Sequence, residues 1–300
     1  MALPALEAVA GVATELAVMS QPDKPVGRKK VLTPTPVSSW ALERGVTLFR
    51  PADHDGIAEA VAQFAPDLGV TVAFGRILRH PALAGPSMGW WNVHFSRLPR
   101  WRGAAPVQNA LLAGDTDTGV SLFRLDEGMD TGPLLGQRDH AITPGITAGA
   151  LLDELSHLGA DLLAHTLHQH HTGTLGATEQ EGPATHAPKL ERETGRITST
   201  DALEQAQRRF QATTPEPGCF VSWGGGENTL RILSVDATAD FLVTDPAGHT
   251  PGSIQATPRG IGLILSGGAL VLENVQPAGK KVMPAVDWWR GVHEEIRIDD

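Results

Sequence analysis

The chain of 300 residues is 41% hydrophobic and 19% charged, which indicates a folded globular protein, and its length suggests about two domains. The formal net charge of −10 argues against a general polyanion-binding surface, so a nucleic-acid partner would need a local basic patch. The single cysteine, Cys219, excludes an intramolecular disulfide framework, and no apolar run approaches the ~20 residues that span a bilayer. We therefore expect a cytoplasmic protein without a membrane segment.

Predicted helices and strands alternate in the N-terminal part of the chain. Leu3, Leu6 and Val9 recur at helical spacing, and Glu7 within this apolar stretch argues against a signal peptide. Strands are predicted at Leu16–Met19, Val46–Phe49, Leu68–Phe74, Gly89–His94, Val120–Phe123 and Leu134–Arg138, and further helices at Trp40–Arg44, Ile57–Phe64, Ala104–Ala113 and after Thr147. This alternation predicts a doubly wound α/β fold with a mostly parallel sheet.

The C-terminal part has a different pattern. Residues 172–185 are rich in Gly, Thr, Pro and Gln or Glu and lack periodicity, which is typical of a linker. We place an α/β domain at 1–175, a linker at 176–200 and a second domain at 201–300. Short strands separated by turn residues predict a small antiparallel barrel there: Cys219–Trp223, Leu230–Val235, Gly252–Ala256, Ile261–Ser266 and Ala269–Val275.

The long predicted helix after Thr147 ends in the cluster His165, His168, His170 and His171. Histidines at positions i and i+3 can bind a metal ion in principle. No Asp, Glu or Cys is placed to complete such a site, so a solvated helix end is the preferred interpretation. We expect no metal.

The candidate catalytic residues lie where the predicted strand Gly89–His94 ends. Residues i and i+2 of a strand point to the same side, so Asn92 and His94 direct an amide and an imidazole into one space. An imidazole changes charge near neutral pH, and an amide donor can stabilise a developing oxyanion. The loop after such a strand is where open α/β sheets bind ligands.

Two motifs here resemble those of the folate-dependent formyltransferases. Asn92-Val93-His94-Phe95-Ser96-Arg97-Leu98-Pro99 is similar to the family's Asn-x-His-x-Ser-Leu-Leu-Pro, and 126–132 is similar to its Asp-x-Gly-x-Asp-Thr-Gly. The continuation to Pro106 resembles the methionyl-tRNA formyltransferase branch. The resemblance implies that Asn92 and a protonated His94 stabilise a tetrahedral oxyanion. It also implies that Asp130 stabilises the imidazolium and relays a proton.

The resemblance also implies the binding sites and the fold. The segment Phe74-Gly75-Arg76-Ile77-Leu78 is similar to one whose backbone cups the pterin ring. The folate-binding residues are therefore expected to be Phe74, Gly75, Ile77, Leu78, Ser96, Arg97, Leu98 and Pro99. The implied fold is a Rossmann-like formyltransferase domain followed by an OB-like, tRNA-binding domain.

Basic residues cluster in the loop between Gln21 and Lys30. A solvated turn is the simplest explanation of such a charge run. Its Gln-Pro-Asp-x-Pro-x-Gly-Arg-x-Lys pattern, however, resembles the tRNA-contacting insertion of methionyl-tRNA formyltransferases, and Arg28 matches the family's key loop arginine. Such side chains can grip phosphates and stack on bases. The expected tRNA-binding residues are Arg28, Lys29 and Lys30, with Lys280 and Lys281 near the C-terminus as further candidates.

The function implied is transfer of the formyl group of 10-formyltetrahydrofolate, as co-substrate, to the amino group of initiator methionyl-tRNA, by a metal-independent monomer. Two alternatives stay open. The acceptor is another amine, such as an amino sugar or a glycinamide nucleotide, or the chain is an inactive protein that binds tRNA or folate. The basic loop and the C-terminal barrel favour the tRNA substrate.

The resemblance covers nearly the whole chain, with three departures. Phe95 replaces the family's Gly or Pro, and Arg97 replaces the first Leu of its Ser-Leu-Leu-Pro. The family's opening strand and its Gly-Thr-x-x-Phe loop have no counterpart before Met1. Because the first strand of a doubly wound sheet is usually central, we expect Leu16–Met19 and Leu68–Phe74 to be the edges of a gap. We expect either that the chain as written is poorly stable or insoluble when made alone, or that its apparent start is misplaced.

Overall fold

The computed structural model describes residues 1–27, 30–236 and 250–300, which form two compact units. The first unit consists of Met1–Pro106, Asp117–Ala141 and Leu152–Ala187, and the second of Val107–Thr116, Ile142–Leu151 and Pro188–Asp300. Among the described helices, none combines the length and the apolar character needed to cross a membrane.

The first unit alternates helices and short strands. Its helices are α1 (Ala2–Ala10), α2 (Pro36–Arg44), α3 (His54–Phe64), α4 (Pro106–Ala113) and α5 (Ala148–His171), the last two of which extend into the second unit. Its strands are β1 (Ala17–Met19), β2 (Lys24–Val26), β3 (Val31–Thr33), β4 (Thr47–Phe49), β5 (Gly69–Val72), β6 (Trp90–His94), β7 (Arg102–Gly103), β8 (Asp117–Arg124), β9 (Leu134–Ala141) and β10 (His186–Ala187).

A four-stranded sheet with the order β5-β6-β8-β9 carries the candidate residues. β5 and β6 run parallel, whereas β6, β8 and β9 are antiparallel neighbours. The α/β class is confirmed, and the sheet is mixed because the short 125–133 connection lets β9 return beside β8. α5 packs closely on this sheet, since a Cβ atom on Gly159 would lie 2.6 Å from Val93 Cγ1.

Two strand edges in the first unit face a cavity. Among the described residues, β1 pairs with β4 alone and β5 pairs with β6 alone, so the two sheets do not join. Between them lies a cavity of about 880 Å³, lined by residues of β1, β5, α1 and α3. The prediction that Leu16–Met19 and Leu68–Phe74 form the two edges of a gap is therefore confirmed.

The basic segment that we predicted to be an irregular loop contains a β-hairpin. β2 and β3 pair in antiparallel register, and all six of their residues are exposed. Gly27 and Lys30 adopt left-handed conformations in the connecting turn, with φ of 71° and 49°. Short β-branched and apolar runs on either side of a Gly-containing turn favour such a hairpin. Arg28 and Lys29 lie outside the described residues.

The second unit is dominated by an antiparallel sheet with the order β11-β12-β15-β14-β13-β17, in which β16 also pairs with β15. Its elements are a 3-10 helix (Arg192–Gly195), α6 (Leu203–Thr213), α7 (Ala285–Trp289), β11 (Cys219–Trp223), β12 (Asn228–Val235), β13 (Ser253–Thr257), β14 (Gly260–Leu265), β15 (Gly268–Pro277), β16 (Met283–Pro284) and β17 (Ile296–Arg297).

The ends of this sheet approach each other in a barrel-like manner. The N–H of Asp299, just after β17, donates to the carbonyl of Ser222 in β11, at 2.8 Å. Cys219 is fully buried in the same sheet, and burial raises its pKa to about 12. A thiol with so high a pKa is not a nucleophile at neutral pH.

Candidate active site

His94 is held at the end of β6 by two contacts. Its Nε2 lies 2.9 Å from the carbonyl oxygen of Trp101, so this nitrogen carries the hydrogen and donates it. Its Nδ1 lies 3.7 Å from Oδ2 of Asp130. The His94 side chain is only 6% exposed and that of Asp130 17%. The structure thus brings together two of the three predicted catalytic residues.

Burial lowers the pKa of His94 below its ordinary value, although the Asp130 carboxylate and the Trp101 carbonyl act in the opposite direction. The prediction of a protonated His94 is therefore corrected. Loss of solvation outweighs the attraction of the carboxylate, so the resting imidazole is neutral and Nδ1 offers a lone pair. A neutral imidazole in this position can accept a proton from a substrate.

Asp130 has a left-handed backbone, and its carboxylate accepts a backbone hydrogen bond. It adopts a left-handed conformation with φ of 55°, and its Oδ2 accepts the N–H of Gly103 at 2.8 Å. Gly103 has φ of 122°, and a Cβ atom there would lie 2.8 Å from the carbonyl oxygen of Ala187. Both the conformation and the close approach require glycine at this position.

Asn92, the third predicted catalytic residue, is oriented by Thr71. The Thr71 hydroxyl donates to Oδ1 of Asn92 at 2.7 Å across the β5–β6 pair. Because this bond occupies the carbonyl side of the amide, Nδ2 is left to donate to a substrate. The sequence analysis missed Thr71, although one polar residue inside a buried apolar strand is a usable signal.

Thr71→Val keeps the side-chain shape and removes the donor. We expect kcat to fall about tenfold, because a neutral hydrogen bond contributes about 1 kcal/mol and the Asn92 amide loses its fixed orientation. Steady-state kinetics of formyl transfer would measure this. Thr118→Val, at another buried threonine on β8, is the matched control. An equal loss of kcat in both variants would contradict the assigned role of Thr71.

The expected folate-binding loop 96–99 is rigid and largely buried. The Ser96 hydroxyl donates to the carbonyl of Arg100 at 2.6 Å, and Leu98 belongs to the apolar core. Nε2 of Gln137 donates to the carbonyl of Leu98 at 2.8 Å. Arg97 points to solvent and pairs with Asp139 at 3.0 Å. The Ser96 hydroxyl is therefore engaged within the loop, and Pro99 is half-buried.

The other expected folate-binding segment, 74–78, is partly open. Leu78 is buried with the α3 side chains, whereas Ile77 is exposed. Gly75 has φ of 73° and no neighbouring atom within 4 Å of a built Cβ. The carbonyl of Phe74 accepts a hydrogen bond from Nε2 of Gln21 at 3.0 Å. The segment therefore combines an exposed apolar side chain with a fixed, accessible backbone.

The described tRNA candidates are exposed. Lys30 lies in the hairpin turn, and Lys280 and Lys281 lie in the turn after β15.

Within residues 1–27, 30–236 and 250–300, no group of three or more metal-ligating side chains is placed to hold a metal ion. His170, from the histidine cluster, packs edge-on against Trp91 with ring centroids 6.0 Å apart.

Comparisons with known proteins agree with this geometry. A formyl transferase family model matches residues 3–167, and a formyl transferase C-terminal domain model matches residues 189–293. The chain is 40% identical to the methionyl-tRNA formyltransferase of Paenarthrobacter aurescens (strain TC1), over 99% of this chain and 96% of that protein. It is 42% identical to that of Clavibacter sepedonicus, over 97% and 94% of the two chains.

Two solved structures share the fold at low sequence identity. WlaRD, a sugar 3N-formyl transferase crystallised with dTDP and 5-N-formyl-THF, is 15% identical with a TM-score of 0.64, over 93% of this chain and 95% of that chain. HypX from Aquifex aeolicus in complex with tetrahydrofolic acid is 16% identical with a TM-score of 0.65, over 86% and 47%. On the near full-length relatives and the two matched domains, the chain belongs to the methionyl-tRNA formyltransferase family.

Proposed function

We propose that this chain transfers the formyl group of 10-formyltetrahydrofolate to the amino group of methionyl-tRNA. The observation that carries the proposal is the buried His94, held 3.7 Å from Asp130 at the end of the strand that also presents Asn92. Relatives about 40% identical over nearly their whole length are methionyl-tRNA formyltransferases, which supports this acceptor.

The proposed reaction uses the three residues in distinct roles. As the amine nitrogen bonds to the formyl carbon, the carbonyl becomes an oxyanion that accepts a hydrogen bond from Nδ2 of Asn92. Nδ1 of His94 takes the proton that the nitrogen loses, and the Asp130 carboxylate stabilises the resulting imidazolium. Collapse of the adduct breaks the bond to N10 of tetrahydrofolate, which receives the proton from His94.

We assign the folate to the loops 74–78 and 96–99. The exposed Ile77, the open space around Gly75 and the half-buried ring of Pro99 suit the flat pterin. The fixed loop conformations mean that binding orders few new groups, which favours affinity. In this proposal Ser96 and Leu98 support the loop from beneath.

We assign the acceptor stem of the tRNA to the β2–β3 hairpin. Its strands expose Val26, Val31 and Leu32, and Lys30 is exposed in its turn. Arg28 and Lys29 directly precede Lys30 in the sequence. Cationic side chains bind phosphates, and the apolar side chains give unstacked bases a surface to pack on. Lys280 and Lys281 are proposed as further phosphate contacts.

The test is formyl transfer by the purified chain from 10-formyltetrahydrofolate to charged initiator tRNA, an amino sugar nucleotide and glycinamide ribonucleotide. We expect turnover with methionyl-tRNA and none with the other two amines. Faster transfer to an amino sugar nucleotide would favour the alternative acceptor. Folate binding without turnover on any amine would indicate an inactive binding protein.

Arg28→Ala tests the hairpin assignment. We expect weaker use of methionyl-tRNA and a slope of log K against log salt reduced by about 0.7–0.9, the value for one lost phosphate contact. Folate affinity should stay unchanged. Arg138→Ala, which removes the same charge from an exposed position on β9, is the matched control. Loss of folate binding with tRNA binding intact would show that the hairpin serves the other substrate.

A further inference from the structure

A segment of the first unit that has the composition of a linker contacts the strands and loops around the candidate site. Thr178 exchanges two backbone hydrogen bonds with Leu134 at the start of β9, at 2.7 and 2.9 Å. Further along, the carbonyl of Thr185 accepts the N–H of Arg102, and β10 pairs with β7. Residues 178–187 are thus fixed at both ends. We call this segment the strap.

Gln180 is the strap residue that reaches the catalytic loop. Its Nε2 donates to the carbonyl oxygens of Asp130 and Gly132, both at 2.8 Å. Its Oε1 accepts from Nε and Nη2 of Arg102, at 3.1 and 2.6 Å. Both amide hydrogens and the amide oxygen are therefore used. Only a side chain with a donor and an acceptor at this distance can make all four bonds.

These four bonds join the two loops that meet at the Asp130 carboxylate. Arg102 directly precedes Gly103, whose N–H donates to Oδ2 of Asp130. Asp130 itself has a left-handed backbone, which a non-glycine residue keeps only when its surroundings hold it. Gln180 therefore acts on Asp130 in two ways. It donates to the backbone carbonyl of Asp130, and it accepts from the side chain of Arg102, which directly precedes the Gly103 N–H donor.

We infer that Gln180 is a positioning residue that holds the Asp130 carboxylate at its distance from His94 during formyl transfer. The inference rests on the proposed function of the same site. The strap stabilises the strained backbone of Asp130 from one side and orients Arg102 from the other. The carboxylate therefore keeps its place when charge develops on the imidazole.

The charged and polar groups around His94 determine how its pKa should change if Asp130 moves. Asp130 is the charged group that raises the pKa of His94 against the effect of burial. From β8, Ser121 pairs opposite His94 and Phe123 packs edge-on against it, and neither is charged. The Arg102 guanidinium is directed at Gln180. If Asp130 moves away, the pKa of His94 falls further.

Gln180→Met removes both donors to the loop and the acceptor for Arg102, and it adds no charge near His94. We expect kcat to fall about tenfold, as for loss of hydrogen bonds near 1 kcal/mol net, with the KM values for both substrates within about twofold. The acid limb of the pH–kcat profile should move to lower pH. An unchanged acid limb, or an unchanged kcat, would overturn the inference.

Gln137→Met is the matched control, because Gln137 also donates its amide to a loop carbonyl, that of Leu98, away from Asp130. We expect it to raise the KM for folate without moving the acid limb. Gln180→Glu, which keeps an acceptor for Arg102 but adds a carboxylate, gives a second variant. It should lower kcat as Gln180→Met does, with a smaller shift of the limb because the added negative charge raises the pKa of His94, and circular dichroism would verify that each variant is folded.

Titration of the His94 ring by NMR in the substrate-free chain separates this inference from the proposed function. A lower His94 pKa in Gln180→Met than in the unchanged chain supports the positioning role even if methionyl-tRNA proves not to be the acceptor. The same His94 pKa in a folded Gln180→Met sample would overturn it, whatever the activity of the unchanged chain.

Discussion

His94→Ala is expected to lower kcat by at least ~10², because it removes the proton acceptor and the charge that Asp130 stabilises, and general acid–base terms of this kind contribute about 10²–10⁴. The fold should persist, since the change removes one hydrogen bond to the carbonyl of Trp101. Single-turnover formyl transfer from 10-formyltetrahydrofolate to methionyl-tRNA is the measurement, with a thermal melt of each sample.

His140→Ala is the control for this change. His140 lies on the edge strand β9, and its Nε2 lies 2.8 Å from Oε2 of Glu154. It is not one of the residues assigned to the reaction. It should retain full turnover. Near-normal turnover by His94→Ala would rule out His94 as the catalytic base.

The pH dependence follows from the lowered pKa of His94. The neutral imidazole is the active form, so kcat should fall as pH decreases through that lowered pKa and stay level above it. Asp130→Asn removes the charge that raises the pKa, so the acid limb should move to still lower pH as kcat decreases. A limb that stays in place in this variant would show that the Asp130 carboxylate does not act on His94.

Local signals in the sequence were sufficient for most of the elements. The Thr35 hydroxyl accepts the N–H of Ser38 and caps α2, with Pro36 as first helical residue, and a Thr-Pro pair is a local signal for such a helix start. The i, i+2 spacing placed Asn92 and His94 on one side of β6. These features depend on neighbours in the chain or on strand periodicity, which a sequence contains directly.

Contacts between residues that are far apart in the chain were not predicted from these local patterns. Thr71 contacts Asn92 from another strand, and Gln180 reaches Asp130 from a segment whose Gly- and Thr-rich composition is typical of a linker. The charge state of His94 depends on how deeply the folded chain buries it, and a motif contains no measure of burial. A strap that hydrogen-bonds through its backbone needs no periodicity of its own, so composition alone misjudges it.

The gap between β1 and β5 leads to the second large effect that we expect. Each strand has one paired edge, and the other edge faces the 880 Å³ cavity. An unpaired buried N–H or C=O group costs about 1–3 kcal/mol, whereas a whole domain is stable by only about 5–15 kcal/mol. A few such groups therefore remove most of the stability of the first unit, while the continuously paired sheet of the second unit is unaffected.

Hydrogen exchange on residues 1–300, produced as one chain, tests this within a single sample. The amides of β1 and β5 are expected to exchange orders of magnitude faster than those of β14 and β15, which have partners on both sides. Thermal melts followed by different probes should not coincide, and a folate ligand should raise only the lower transition. Equal protection of all four strands and one cooperative melt would show that the two open edges cost the fold nothing measurable.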